Sequence, residues 1–355
     1  MAEFFMQYGL FLAKAVTIVV ALLFVVGGIV TTAARNRSDD EEGSLRVRHL
    51  NREVEALRDD LRHEILPDHL RKADSKAHKK QEKERIKAEK KAEKSAAKGD
   101  EGDKRHRVFV LDFDGDVRAS AVDNLRREIS AILQVADKED EVMLRLESPG
   151  GLVHSYGFAS SQLTRVRQHG LKLTICVDMV AASGGYMMAC IADRIIAAPF
   201  AIVGSVGVVA QMPNFNRLLK KHDVDVELVT AGEYKRTLTM FGENTDEDRE
   251  KFKEEIEDTH LLFKDFVKEN RPSLDVERIA TGEHWFGIRG KELGLVDELM
   301  TSDEYLLERS KESELYEIRW EIKRKLAERL GFSVEGAVHR VFDKWMHKNG
   351  SRWIQ

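Results

Sequence analysis

Only two cysteines occur in 355 residues, too few for a disulfide framework. Cys176 and Cys190 both lie in apolar runs, where a buried free thiol is the ordinary reading. No internal repeat is visible, which argues against two copies of one fold. An excess of one charge is missing too. The 57 Lys and Arg residues face 62 Asp and Glu, for a net charge of -5, so the chain as a whole is not built for nucleic acid. No HExxH motif and no paired Cys/His spacing suggests zinc, and no cofactor is expected.

What is present begins with one long apolar run. Residues 15–34 carry no charge, and at ~1.5 Å per residue a helix of this length spans the ~30 Å hydrocarbon layer of a bilayer. A cleaved signal peptide fits less well, because no basic start precedes the run and no small-x-small cleavage site follows it. Residues 1–34 are therefore expected to form a retained N-terminal transmembrane anchor. Arg35 and Arg37 follow it at once, which favours a cytoplasmic C-terminal bulk, a bias that long downstream domains can override.

Residues 35–105 read as a charged stalk and linker. Leu50, Val54, Leu57 and Leu61 keep helical spacing, and the segment beyond residue 70 is Lys, Glu and Ala with almost no large apolar side chain to bury. Its basic residues could attract anionic lipid headgroups, but a solvated spacer suffices, and no aromatics are interleaved for stacking on nucleic-acid bases. Composition changes at Val108. The runs VFVLDF, EVMLRLES, LKLTICVD, RIIAAP, SVGVV and VDVELVTA predict strands, with helices at 120–135, 154–168, 213–222 and 245–269. Alternation of this kind predicts an α/β domain over 106–302. The stretch 180–209 is apolar but holds Asp193, Arg194 and Pro199, which favours core strands and a buried helix over a second membrane span. Residues 303–355 read as an amphipathic, basic C-terminal tail.

Three glycine-bearing turns follow apolar strands. Ser148-Pro149-Gly150-Gly151 can turn tightly and present amide protons to a reacting carbonyl oxygen. Ala182-Ser183-Gly184-Gly185-Tyr186 places a serine among small residues where a strand gives way to a helix, a position equally suited to an N-cap. Gly204-Ser205-Val206-Gly207 imitates the G-x-S-x-G elbow without its first glycine. A nucleophilic serine needs a base. The 12 histidines leave a triad possible by number, but none stands in a Ser183-like junction. The other candidate is a lysine kept neutral by its surroundings, and Lys235, in Gly232-Glu233-Tyr234-Lys235 after a predicted strand, is the one singled out.

Those motifs, in that order along an α/β framework with an N-terminal anchor, resemble the signal peptide peptidase family of membrane-anchored Ser-Lys peptidases. The resemblance implies a ClpP/crotonase-like fold of ββα units in the bacterial inner membrane, with residues 106–302 as the peptidase domain. It implies that Ser183 is the nucleophile, Lys235 the general base and Ser205 the residue that orients the lysine. The amides of Gly151 and Gly184 match the oxyanion hole. Since the chain has one such domain, the resemblance further implies a homo-oligomeric ring whose protomers share active sites. Its substrates would be peptides or unfolded segments such as signal-peptide remnants. Two rival functions use the same framework: a crotonase-like acyl-CoA enzyme, which would not need Ser183 and Lys235 together, and a non-catalytic membrane scaffold.

Overall fold

The computed structural model describes residues 43–67, 69–71, 106–232 and 235–322, with single positions in 6–17 and 76–87. The expected anchor, apart from positions 6, 9, 10, 14 and 17, and most of the linker and tail lie outside the described residues. Among the described residues no helix is long and apolar enough to cross a membrane. The chain divides into two units, Met1–Ser44 with Glu321–Gln355, and Leu45–Trp320. The geometry below belongs to the second.

It is an α/β structure. Seven strands form one sheet, in the order β1 (Gly43–His49), β10 (Glu314–Ile322), β2 (Arg107–Asp114), β3 (Glu141–Glu147), β4 (Lys172–Val177), β6 (Arg194–Ala197) and β9 (Glu298–Leu299). From β10 to β9 every neighbouring pair is parallel. A smaller sheet holds β5 (Val180–Ala182), β7 (Ile202–Gly204) and β8 (His284–Phe286), with β5 and β7 parallel and β7 and β8 antiparallel.

Both faces of the large sheet are covered, which is why β2 reads as a nearly continuous apolar run. Its alternate residues go to opposite sides. Phe109, Leu111 and Phe113 join the main core. That core also takes Leu125, Ile129 and Ile132 from helix Val122–Val135, and Tyr156, Ala159, Leu163 and Val166 from helix Val153–Gln168, both at helical spacing. Val108 and Val110 face a second cluster with Met143, Cys176, Ile196 and Leu315, covered by Tyr305 and Leu306 of helix Ser302–Arg309.

The stretch 180–209 folds as read, into β5, the buried helix Gly184–Ala189, β6 and β7. The long amphipathic helix runs Asp246–Asn270; Thr245 accepts the Asp248 N–H and Asp248 accepts the Thr245 N–H, a reciprocal cap worth about 1 kcal/mol. Two expected strands are absent. SVGVV follows β7 without extending it, and VDVELVTA forms no strand: Val224, Val226, Leu228 and Val229 are all exposed, with no neighbouring strand to take their backbone groups. Four strands were not foreseen, among them the short β8 and β9 inside the expected domain. Residues 43–49, read as the start of the stalk, form β1, and β10 lies beyond the expected limit at 302. Polar side chains fix these edges: Glu317 of β10, only 3% exposed, pairs with Arg145 of β3 at 2.7 Å and with Arg48 of β1 at 2.7 Å. Asp112 of β2 takes Arg145 and Arg319. Burial pushes the Asp112 carboxyl up, but these two guanidinium groups outweigh it and hold the group below its ordinary range.

Candidate active site

Strands β2, β3 and β4 end side by side, and in open parallel sheets the space beyond the carboxyl ends is where ligands bind. Here those ends lead to Gly115 and Asp116, to the 148–151 turn, and through β5 to Ser183. The 148–151 turn is stitched to β5: Ser148 donates its N–H to the Val180 carbonyl at 2.8 Å and accepts the Ala182 N–H at 3.0 Å.

Ser183 has φ +52°, a region a non-glycine residue enters at a cost on the order of 1–3 kcal/mol. Neighbouring structure enforces it. The Ser183 N–H donates to the Gly204 carbonyl at 2.8 Å, and the Ser183 carbonyl accepts from Met187 at 2.9 Å. Although Ser183 stands at the N-cap of helix Gly184–Ala189, its side chain makes no capping hydrogen bond. The simple structural role of such a serine is therefore unfilled, while its half-buried hydroxyl sits where the parallel strands end.

The glycines around it are fixed by space. A Cβ on Gly184 would lie 2.4 Å from the Tyr156 ring, and one on Gly151 would lie 2.1 Å from the Val117 carbonyl oxygen. Gly150, at φ +89°, would drive a Cβ to 2.7 Å from both the Ala182 carbonyl oxygen and the Ser183 Cβ. Among the described residues, neither the Gly151 nor the Gly184 N–H has an acceptor. The Ser183 N–H is already spent on Gly204, whereas the amides of Gly151 and Gly184 are among the free donors at this junction, together with those of Gly185 and Tyr186 in the first turn of the helix.

Ser205 arrives from the neighbouring strand. Ala182 of β5 pairs in register with Gly204 of β7, so Ser183 and Ser205 are the residues that follow a matched pair. Ser205 also has positive φ, +54°, and donates its N–H to the Glu283 carbonyl at 2.7 Å. The fold thus brings together Ser183, Gly184, Gly151 and Ser205. Lys235 is exposed, its N–H donating to the Gly232 carbonyl at 3.2 Å, and among the described residues no hydrogen bond joins it to Ser183 or Ser205. The buried thiols offer no alternative nucleophile: burial pushes Cys190 up to about 12 and raises Cys176 as well, so neither yields thiolate near neutrality. The sequence reading passed over Tyr156 and the hydroxyl of Ser148, both buried under this junction; no spacing in the linear sequence relates them to Ser183.

A strained serine flanked by free amides at the ends of parallel strands is an arrangement that can support acyl transfer, and comparison with known proteins gives the class. The pattern of Peptidase family S49 N-terminal matches residues 3–163, and that of Peptidase family S49 matches residues 165–316. The chain belongs to peptidase family S49 and is a peptidase. Within the family it is similar to "Probable protease SohB" of Haemophilus influenzae, with 50% identity over 96% of both chains. It is also similar to "Probable protease SohB" of Buchnera aphidicola, with 58% identity over 65% of this chain and 68% of the relative. Among solved structures, the 1510-N membrane-bound stomatin-specific protease aligns with 58% of this chain and 84% of its own, at 14% identity and a TM-score of 0.41.

Proposed function

We propose that the protein is a membrane-anchored serine endopeptidase that works through an acyl-enzyme with a Ser-Lys dyad. Ser183 attacks the peptide carbonyl, and Lys235 removes the serine proton and returns it to the leaving amine. Ser205 orients the lysine amine, and the amides of Gly151 and Gly184 bind the oxyanion. A donor of this kind is worth about 3–4 kcal/mol to the transition state. Water then releases the acyl group. The observation that carries the reading is the Ser183 junction: positive φ, no capping bond, and two unpaired amides beside it.

The ClpP/crotonase-like arrangement is part of the proposal. Its support is that β4 then β5, and β6 then β7, each contribute one strand to the large sheet and one to the small, the first pair followed directly by helix Gly184–Ala189. The exposed position of Lys235 supports a homo-oligomeric ring in which one protomer's lysine serves its neighbour's serine. Exposed Val209, Leu228 and Val229 on the lysine-bearing segment supply apolar surface for that contact. We place the enzyme at the bacterial inner membrane through residues 1–34, acting on signal-peptide remnants or unfolded segments near the bilayer. No cofactor enters the chemistry.

The test is reaction of the detergent-purified protein with a fluorophosphonate, followed by intact mass, for wild type, Ser183→Ala and Lys235→Ala. One adduct on wild type, located at Ser183, and none on either variant is expected. An adduct on Ser183→Ala, or none on folded wild type, overturns the dyad.

A further inference from the structure

Beneath the Ser183 junction lies a pair of hydroxyls that the chemistry above does not use. Ser148 and Tyr156 are both fully buried, and their oxygens are 2.5 Å apart. Tyr156 donates to the Asp116 carbonyl at 2.8 Å. Its single proton is then spent, so the proton between the two hydroxyls belongs to Ser148, which leaves the Ser148 oxygen free to accept. It accepts the N–H of Gly150 at 3.1 Å. The result is a one-way chain from the Gly150 amide through Ser148 and Tyr156 to the backbone of the 115–116 turn, with every member satisfied. Burial also lifts the Tyr156 phenol above its ordinary range, so it remains a donor.

The surroundings leave this chain no slack. A Cβ on Gly115 would lie 2.5 Å from Ser148 Oγ and 2.6 Å from Tyr156 Oη, and one on Gly185 would lie 2.6 Å from the Ser148 carbonyl oxygen. Immediately past Gly150, the peptide that bears the Gly151 N–H is anchored on its other side by Leu152, whose N–H donates to the Val117 carbonyl at 2.8 Å. The Gly151 amide is thus suspended between two hydrogen-bonded neighbours, one of which depends on Ser148. The same tyrosine lies against Gly184, since its ring is what a Cβ there would strike.

We propose that Ser148 and Tyr156 are positioning residues for the reaction at Ser183, their hydroxyl chain holding the 148–151 turn, and with it the Gly151 amide, in place. The proposal rests on Ser183 being the nucleophile. It assigns the polar ends of both side chains a kinetic role, distinct from the packing role of the Tyr156 ring, which also meets Phe113 edge-on at 6.4 Å between centroids.

The test uses the full-length protein and the fluorophosphonate reaction, resolved into the probe's binding constant KI and the bonding rate kinact. Tyr156→Phe keeps the ring and removes the hydroxyl; Ser148→Ala removes the acceptor for Gly150. Both should lower kinact, by about tenfold for Tyr156→Phe and more for Ser148→Ala, with KI within about twofold of wild type. Phe113→Leu, a packing change against the same ring, should lower the melting temperature and leave kinact unchanged. Wild-type kinact in folded Tyr156→Phe, or an equal loss in Phe113→Leu, overturns the positioning role while leaving Ser183 as nucleophile. Absence of any adduct on wild-type Ser183 removes the nucleophile reading and this proposal together.

Discussion

Ser148 and Tyr156, under the Ser183 junction, have no exposed surface, whereas Val209 and Val229, on the segment that carries Lys235, are 90% and 92% exposed. The first region is tied by backbone bonds among three strand ends and crowded by glycines that tolerate no side chain. The second contains only the short helix Asn216–Lys221 and is fastened near its ends, where Phe215 donates to the Met240 carbonyl at 2.7 Å and Asn214 to the Thr239 carbonyl at 2.9 Å. On the proposed reading, the difference separates a serine half of the site completed within one chain from a lysine half that a neighbouring protomer completes. A single chain determines where the serine stands. The exposed apolar side chains of 224–229 suit a surface whose partner is another chain.

The sharpest way to break this comparison is mixing. Ser183→Ala and Lys235→Ala should each lose at least ~10³-fold in peptide cleavage, yet, if sites are shared as proposed, rings co-assembled from equal amounts should recover about one quarter of wild-type activity, each site taking its two residues from different protomers. Recovery of nothing, measured on co-expressed, co-purified protein, would put both residues in one chain. A second experiment addresses the buried half alone. Glu128 is 3% exposed, and burial pushes its carboxyl up to about 7 despite the Trp320 N–H it accepts; Asp112 adds to the rise and Arg319 opposes it. A neutral buried carboxyl favours folding below its unfolded value near 4.5, and that advantage is lost as pH rises through about 7, some 3 kcal/mol in all. Glu128→Gln should therefore melt like wild type at pH 4.5 and higher than wild type at pH 8.5; equal melting at both would show that the carboxyl is not held neutral. The smallest effect is expected in the open half: Val226→Asp with Val229→Asp should change the stability of the isolated protomer by no more than about 0.5 kcal/mol, while sedimentation shows the assembly dissociating.

The sequence made the central strands and the covering helices legible because their apolar residues repeat at the spacing of buried elements. Leu125, Ile129 and Ile132, or the unbroken run of β2, admit one reading. It misled where β-branched residues were taken as sufficient for a strand. Val224, Val226 and Val229 have the composition but no partner within the chain. It also overlooked β10, whose buried Glu317 is neutralised by arginines from two other strands, so a core position looked polar. For the site, the strand-to-helix junction at Ser183 was legible because small residues there are a local signal. Tyr156 was not, since its place beneath Gly184 is created only when helix Val153–Gln168 packs back on the sheet.

The parallel placement of β10 beside β2 has a temporal consequence. Asp112 and its partner Arg319 are 207 residues apart in the chain, and no local hairpin can bring such strands together. During synthesis β2 emerges long before the strand that will cover its edge, and for that interval it presents unpaired backbone groups beside apolar side chains. A chain truncated before residue 314 would never close that edge. Completion of the sheet is thus a check on synthesis through β10, and a copy cut short before that strand should be found in aggregates or bound to chaperones rather than among folded enzymes.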